Sequence, residues 1–548
     1  MSPEMPVGDN SYPPAPHKSQ PSTNEPGLAR TPNPKLWSSA IALLCLALFA
    51  VKAATSLVQE SSTWDETRYF GVGKYLMRTH EWNLPFALEH PPLSYYIHSF
   101  PLLFFPGDSS PWRGHVASFA VVRGQALLCS PANQGDRLLD LSRLMMVLTA
   151  VLLGWFVYKW SYELYGQASA ILAIVLFSFC PNILAHARLI TPDITVTTFS
   201  FIAIYYFWRL LRNDSAADAV LGGICLGLAL LSKFTAVLLC PVCGLLMILW
   251  RLRQKRLNLW LCLLYAVVSA LVLCLGYGMN PGPYYAGILR QHTHAHEQVR
   301  HFLMGQYSDG WWYYFMVACL IKTPIAGLLF LAVAGVLFAR RILKGKWIDE
   351  AFLLVPAAVV FWFFSLHDLQ MGLRYVLPIY PFLFVFSSQA ARLFVGHIAR
   401  MAFYLAAIGW YIGASCYIHP HYLAYFNELV GGPDNGWNYL VDSNLDWGQD
   451  LKGLKRYMVE HDIPRITLSY FGSDTPDRYG IAYNWIPIFA LRDVDAAHRP
   501  SILKGWVAIS ATNLREACFV NKDLSAYFKT HKPVAKIGYS IFIYKLDA

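Results

Sequence analysis

Long apolar runs recur along the first three quarters of the chain, separated by short polar segments. The run LWSSAIALLCLALFAVKAATSL at residues 36–57 is the first of them. Since about 20 apolar residues cross a hydrocarbon core, the pattern predicts about eleven membrane-spanning helices. They are placed at 36–57, 139–160, 168–186, 194–212, 218–232, 235–251, 259–278, 318–339, 350–366, 376–393 and 399–418. The pair around residue 233 is also compatible with one broken element.

The pattern changes after residue 418. Hydropathy falls, and the apolar spacing alternates between the period of a strand and that of a helix. The segments that show this are the amphipathic WGQDLKGLKRYMVEHD and the strand-like RITLSYFG, WVAISATN and YSIFIYKL. This predicts a small α/β domain over 419–548, after a transmembrane domain over 36–418. Residues 1–35 are rich in Pro, Ser and Asn and poor in apolar residues, which predicts a disordered tail.

Composition supports the same class. The chain of 548 residues is 55% hydrophobic and 14% charged. This is more apolar surface than one soluble core can hide. We therefore predict an α-helical polytopic membrane protein with a small C-terminal extracytoplasmic α/β domain.

Basic residues near the span ends indicate the orientation. Those that fall on one side are Arg209, Arg212, the RLRQKR at 251–256, the ARRILKGK at 339–346, Arg392 and Arg400. Basic loops are typical of the cytoplasmic side, which predicts a cytoplasmic N-terminus and an external C-terminal domain in the cell (inner) membrane. The net charge of +10 is spread over these loops, so nucleic-acid binding is not favoured.

The unusual ionisable residues fall on the opposite, outer side, and most lie in loops. The first of these loops is the large segment 58–138. The residues are Asp65, Glu66, His90, Arg188, Asp193, Lys233, Lys322 and Arg374, with Tyr375 beside the last. Ionisable groups at membrane depth are costly and suggest function. Each also has a structural explanation, as a helix N-terminal acid, a turn or snorkelling lysine, a hydrogen-bonded histidine or an interface arginine.

Taken together, these residues suit a transfer from a phosphate-linked lipid. A carboxylate can take a proton from an acceptor hydroxyl as a general base. Lys and Arg can hold a departing phosphate, Arg in bidentate fashion. Aromatic residues such as Tyr95, Tyr96, Trp311 and Trp312 suit the level at which a lipid chain meets a polar head.

Cysteine and histidine usage is less informative. Most of the eleven cysteines lie inside apolar runs, and no metal-binding spacing joins the others. A disulfide between Cys129 and Cys518 is left open. The histidines of QHTHAHEQVRH at 291–301 are read as a surface tract, with a metal site as the minor alternative. A divalent cation is left open.

Several short motifs, in order, resemble one enzyme family. They are WDE at 64–66, PPLSYY at 91–96, TPD at 191–193, GWWYYF at 310–315 leading to KTP, and RYVLPIYP at 374–381. Over 36–418 the chain resembles the type C glycosyltransferases of glycosyltransferase family 39. This family includes the protein O-mannosyltransferases and the aminoarabinose transferases that act on lipid A. The stretch 427–451 resembles an extension found on prokaryotic members.

The resemblance implies an inverting transfer from a polyprenyl-phosphate monosaccharide to a hydroxyl of a protein, lipid or glycan acceptor, with no obligatory metal. It implies Asp65 as the base, with Glu66 as its neighbour in the acid pair, and Asp193 as a positioning acid. Lys322 and Arg374 are then candidates for the donor phosphate. His90 stands where the aminoarabinose transferases carry a lysine, which leaves the donor and the acceptor open.

Two other classes of protein are alternatives. A polytopic transporter or lipid flippase would need charges along a path through the membrane, often in two related halves. Here the charges gather at one face, and no internal repeat is visible. A receptor or scaffold whose C-terminal domain binds a partner is the second alternative. The residues Asp442, Asp446 and Trp447 of that domain are expected to be buried within it rather than to line the cleft.

Overall fold

The computed structural model describes residues 34–105, 118–130, 133–294, 300–394, 398–486, 504–515 and 528–546. Most of the tail predicted over 1–35 lies outside these ranges. Cys518 and part of the histidine tract also lie outside them. The pairing of Cys129 with Cys518 therefore stays open.

The described chain is mostly helical. The helices that precede the C-terminal part are α1 (Pro34–Leu57), α2 (Trp64–Thr79), α3 (Leu93–Ser99), α4 (Ser118–Cys129), α5 (Gly135–Tyr165), α6 (Gln167–Ser178), α7 (Pro181–Ala187), α8 (Pro192–Asn213), α9 (Ala216–Leu230), α10 (Leu239–Gln254), α11 (Leu259–Gly276), α12 (Gly282–His294), α13 (Tyr314–Lys322), α14 (Ile325–Leu343), α15 (Ile348–Ser365), α16 (Ile379–Ser388) and α17 (Ile398–Tyr417). A short hairpin of β1 (His301–Leu303) and β2 (Gln306–Ser308) lies between α12 and α13.

Seven segments of the described chain are long and apolar enough to cross a membrane. They are Trp37–Leu57, Gly135–Tyr165, Pro192–Asn213, Phe234–Gln254, Leu259–Gly276, Ile325–Leu343 and Ile348–Ser365. Helices α6 and α7 make an eighth if they count as one span, since together they pass the same test but are bent by 58°. The chain is therefore a multi-pass membrane protein, as predicted, and the number of eleven spans stays a prediction.

One predicted span is displaced by a proline. The span placed at 318–339 is divided in the structure, because α13 ends at Lys322 and α14 begins at Ile325. Pro324 is the N-cap of α14. Proline disfavours helical backbone in the residue before it and has no N–H to donate. The apolar pattern continues across this break, so hydropathy alone does not detect it.

The segment between the first two long spans folds onto the membrane helices. Its helices α2 and α4 pack at very short distance through two glycines, Gly71 and Gly124. A Cβ atom at Gly124 would lie 1.7 Å from the carbonyl oxygen of Thr67 in α2. Only glycine allows this approach, which brings the start of α2 into the protein interior.

The described residues of the C-terminal part contain a five-stranded mixed sheet and the α-helices α18 (Leu451–Glu460) and α19 (Ala511–Arg515). The strands are β3 (Ile466–Ser469), β4 (Tyr483–Trp485), β5 (Gly505–Ser510), β6 (Ala535–Ile537) and β7 (Ile541–Leu546), in the order β4-β3-β5-β7-β6. Strand β3 is parallel to β4 and β5, whereas β7 is antiparallel to β5 and β6. This confirms the predicted combination of a helical membrane region with a small C-terminal α/β region.

The two faces of this sheet are buried against different partners. One face packs on the apolar side of α18 through Leu454, Leu468 and Ile543. The other contributes Val507 and Phe542 to the same hydrophobic cluster as the membrane helices. The sheet is therefore joined to the membrane region through a continuous core.

Candidate active site

Four charged side chains alternate in sign at one end of the membrane helices. Arg374 Nη1 lies 2.7 Å from Asp65 Oδ2 and 4.0 Å from Asp193 Oδ2. Lys233 Nζ lies 2.7 Å from Asp193 Oδ1. We call Asp65, Arg374, Asp193 and Lys233 the charged row. All four side chains are largely buried, so each charge compensates its neighbour where water cannot.

Each member of the charged row comes from a separate element and lies next to a helix end. Asp65 lies in the first turn of α2 and Asp193 in the first turn of α8, where the helix dipole favours an acid. Lys233 precedes the 3-10 helix Phe234–Leu238, and Arg374 lies within the 3-10 helix Leu373–Val376. Four residues that are far apart in the sequence thus meet at one place.

Aromatic rings line the two cations of the row. The guanidinium carbon of Arg374 lies 4.4 Å from the ring centroid of Trp447 and 5.4 Å from that of Tyr375. Lys233 Nζ lies 4.8 Å from the Tyr375 centroid. These are cation–π distances. Tyr375, predicted as a site residue, therefore contacts both cations.

His90 and Tyr95 are joined to the site through Tyr69. The hydroxyl of Tyr69 lies 2.8 Å from His90 Nε2, and the Tyr69 ring meets Tyr95 edge-on at 5.7 Å. Burial, helped by the nearby cations Lys233 and Arg68, lowers the pKa of His90 well below its usual range. The imidazole of His90 is therefore neutral in this structure and adds no charge to the site.

Glu66 lies apart from the charged row, which corrects its expected place in a catalytic acid pair. Its carboxylate accepts hydrogen bonds from Arg143 Nε at 2.9 Å and from the backbone N–H groups of Thr63 and Ile190 at 2.9 and 3.2 Å. Arg143 Nη2 lies 2.5 Å from its second oxygen. Burial would raise the pKa of Glu66, but Arg143 and these hydrogen bonds hold it below its usual range. Glu66 is a charged structural group whose acceptor positions are occupied.

Arg188 and Tyr96 also have partners elsewhere. Arg188 Nη1 lies 2.5 Å from Glu60 Oε2, and both side chains are buried. The Tyr96 hydroxyl accepts a hydrogen bond of 2.7 Å from Trp82 Nε1. Neither residue contacts the charged row in the part of the chain that the structure describes.

Lys322 contacts backbone rather than open space. Its Nζ donates to the carbonyl oxygen of Leu423 at 2.9 Å and to that of Asn444. The same Nζ lies 4.4 Å from the centroid of the Phe426 ring. This buried lysine joins α13 to the segment after α17, which does not support its expected contact with a donor phosphate.

Three residues of the site were not predicted from the sequence, namely Tyr69, Asp442 and Trp447. Burial of Trp447 and Asp442 within the C-terminal domain was the expectation, whereas Trp447 stacks on Arg374. Asp442 lies close enough to Arg374 and Asp65 to interact electrostatically. For Asp442 and Trp447, the sequence signal that could have indicated a site is the dense mixture of acids, amides and aromatics in NYLVDSNLDWGQD.

The backbone of Asp442 has an uncommon conformation. Its φ of 55° lies in the left-handed region, which a non-glycine residue seldom adopts, and its N–H donates to Thr512 Oγ1 at 3.0 Å. Burial raises the pKa of its carboxyl to about 6, against the opposing effect of Arg374. Such strained residues concentrate at functional sites.

The described residues contain no group of three or more His, Cys, Asp and Glu side chains arranged to hold a metal ion. The cations that the structure shows beside Asp65 and Asp193 are Arg374 and Lys233. Cys129 is exposed, with its Sγ 3.1 Å from Thr475 Oγ1.

Comparison with known proteins gives a family match for part of the chain. Residues 138–277 match the family described as dolichyl-phosphate-mannose-protein mannosyltransferase. This segment contains most of α5 and all of α6 to α11, and it includes Asp193 and Lys233. No curated protein matches the chain significantly.

Solved structures of low identity also match. The crystal structure of ArnT from Cupriavidus metallidurans bound to undecaprenyl phosphate has 14% identity and a TM-score of 0.49, over 93% of this chain and 98% of that one. The archaeal oligosaccharyltransferase AglB from Archaeoglobus fulgidus, in complex with an inhibitory peptide and a dolichol-phosphate, has 14% identity and a TM-score of 0.48, over 70% and 55%. The S. cerevisiae protein O-mannosyltransferase Pmt1-Pmt2 complex bound to the sugar donor has 19% identity and a TM-score of 0.30, over 49% and 34%.

The structural role of Glu66 gives a prediction about stability. Glu66→Gln should destabilise the protein by roughly 3–5 kcal/mol, because it removes the fully buried counter-charge of Arg143 and leaves only the partly exposed Asp140, 4.0 Å away. Thermal unfolding in detergent measures this loss. Asp65→Asn, one residue earlier, is the matched control and should cost less, because Arg374 keeps Asp193 as a partner. A Glu66→Gln protein as stable as the wild type would contradict the structural role.

Proposed function

We propose that this chain, a type C glycosyltransferase whose residues 138–277 match the dolichyl-phosphate-mannose-protein mannosyltransferase family, moves a monosaccharide from a polyprenyl-phosphate donor to a hydroxyl acceptor. The acceptor is a protein, a lipid or a glycan, and the transfer inverts the anomeric carbon. The observation that carries the proposal is the charged row, in which a carboxylate lies directly beside a guanidinium.

The proposed reaction is a direct displacement. The acceptor oxygen attacks the anomeric carbon, the bond from that carbon to the phosphate oxygen breaks, and the polyprenyl phosphate leaves with the bonding pair. Asp65 takes the acceptor proton as general base. Arg374 and Lys233 neutralise the charge that develops on the leaving phosphate.

The ion pairs of the row have to rearrange for this reaction. Arg374 is hydrogen-bonded to Asp65 in this structure, and Lys233 to Asp193. An incoming phosphate would accept hydrogen bonds from Arg374 in place of Asp65, which frees the carboxylate for the acceptor hydroxyl. Asp193 would keep Lys233 in place. His90 and Tyr69 are the neutral groups suited to hydroxyls of the sugar.

We place the site on the outer face of the cell membrane. The helices that run away from the charged row end in basic residues, namely Arg212 in α8, Arg251 and Arg253 in α10, and Arg340 and Arg341 in α14. Basic helix ends are typical of the cytoplasmic side. The charged row lies at the other end of these helices and would face outward, where the C-terminal part would also lie.

The protein's own cations make an obligatory metal unnecessary in this proposal. A divalent cation bound with the donor remains compatible with it. The transporter alternative is not favoured, because the family matched by residues 138–277 is a glycosyltransferase family.

The first prediction tests the base. Asp65→Asn should lower turnover by roughly a hundred- to ten-thousand-fold, because the amide cannot accept the acceptor proton. Transfer of label from a panel of radiolabelled polyprenyl-phosphate sugars measures the turnover. Donor binding should be largely retained in this variant. Asp136→Asn is the matched control, since Asp136 lies in the first turn of α5 but is half exposed. Unaltered turnover in Asp65→Asn would exclude Asp65 as the base.

The second prediction tests the phosphate contact. Arg374→Ala should weaken donor binding by roughly ten- to a hundred-fold, since charge-assisted hydrogen bonds are lost. The binding of labelled donor to purified protein measures the change. Arg209→Ala is the control, because Arg209 also bridges two acids, Glu163 and Asp218, but lies near the opposite end of α8. Donor affinity equal to that of the wild type would remove Arg374 from the phosphate site.

The third prediction concerns pH. The carboxyl of Asp442, with its pKa raised to about 6 by burial, is neutral below this pH and charged above it. A charged Asp442 competes with the donor phosphate for Arg374 and repels the phosphate. Donor affinity should therefore fall as the pH rises from about 5 to about 7. Asp442→Asn should flatten this dependence, and an unchanged pH profile in that variant would contradict it.

A further inference from the structure

Residues 439–451 lie against the charged row although they belong to the C-terminal part of the chain. We call this segment the strap. It consists mostly of turns and short 3-10 helices, yet Asn444 and Trp447 are only 1% and 2% exposed. Irregular backbone is rarely buried, because its polar groups then need partners. The partners of the strap lie next to the two reacting side chains.

The first set of residues bonded to the strap lies just before Asp65 in the sequence. The backbone N–H of Trp64 donates to the carbonyl oxygen of Trp447 at 2.8 Å, and that of Ser61 donates to the carbonyl oxygen of Gln449 at 2.8 Å. The Ser61 hydroxyl donates to the carbonyl oxygen of Gly448 at 3.0 Å. The start of α2 is thus bonded to the strap on the N-terminal side of the proposed base.

The second set of partners precedes Arg374. The backbone N–H of Leu373 donates to Asn444 Oδ1 at 2.9 Å, and Asn444 Nδ2 donates to the Tyr314 hydroxyl at 3.0 Å. The Ser443 hydroxyl donates to the carbonyl oxygen of Met371. One side of the strap therefore holds the turn that carries Arg374, as the other side holds the turn that carries Asp65.

The third contact is made with Arg374 itself. The ring of Trp447 packs on the guanidinium, with 4.4 Å from the guanidinium carbon to the ring centroid. A planar guanidinium binds a phosphate through its edge. A ring on its face leaves the edge available and restricts rotation about the side-chain bonds. A side chain that is already ordered loses less conformational entropy when the ligand binds.

We propose that the strap is a positioning element of the active site, in which Trp447 and Asn444 hold the plane of Arg374 for the donor phosphate at a fixed separation from Asp65. This inference rests on the proposed function and assigns to it a part of the chain outside the segment that matches the family. Trp447 and Asn444 are positioning residues, because they act through Arg374.

The experiment measures undecaprenyl phosphate binding and thermal stability for wild-type protein, Trp447→Leu and Trp447→Phe. Loss of the aromatic face in Trp447→Leu should weaken binding by about tenfold, and Trp447→Phe should restore most of the affinity. Trp437→Leu is the matched control, since the Trp437 ring lies 3.8 Å from the guanidinium carbon of Arg515 in the same part of the chain. It should lose stability without losing affinity.

The outcomes separate the two proposals. Wild-type protein that does not bind undecaprenyl phosphate would overturn the proposed function. Wild-type binding with equal affinity in Trp447→Leu, or an equal loss in Trp437→Leu, would overturn only the role of the strap. If Trp447→Leu does not fold, Ser443→Ala replaces it, because it removes the hydrogen bond from the strap to the carbonyl oxygen of Met371. A loss of a few-fold in affinity is expected for Ser443→Ala, and wild-type affinity in this variant would overturn the inference.

Discussion

The site depends on the buried pairing of Glu66 with Arg143. The guanidinium of Arg143 is fully buried and uses its donors on the two oxygens of Glu66 and on the carbonyl oxygens of Leu57, Glu60 and Ser61. Glu66 in turn accepts from the N–H of Ile190. Because an unpaired charge is very costly in the protein interior, these hydrogen bonds favour one arrangement of the network. It fixes the turn before Asp65 and the loop before Asp193 relative to α5.

With both acids held in this way, two cations balance their charges. Arg374 is shared by Asp65 and Asp193, and Lys233 completes the row. The row is neutral overall, with two acids and two bases. A phosphate that bound at this place would be paired with Arg374, which requires less free energy than burying its charge alone. Asp442 adds a third acid whose charge depends on pH.

The C-terminal part contributes to the same arrangement. Its sheet shares a hydrophobic core with the membrane helices, and the strap lies between that sheet and the charged row. Lys322 and Arg188, both expected at the substrate, instead stabilise the junction between the two regions or the loops beside it. Charged residues near one end of the membrane helices therefore divide into the charged row and a supporting group. The two groups differ in their partners and not in residue type.

The sequence by itself determined the membrane class and the C-terminal α/β pattern, and it predicted that Asp65, Asp193, Lys233 and Arg374 lie on one side of the membrane. Apolar periodicity is a local property, and loops alternate between the two faces of the bilayer. Only the tertiary structure decided which charges meet. Successive helical residues point about 100° apart, so Asp65 faces Arg374 while Glu66 faces Arg143. Both partners, like Trp447, lie far along the chain, and no local pattern encodes a contact between distant segments.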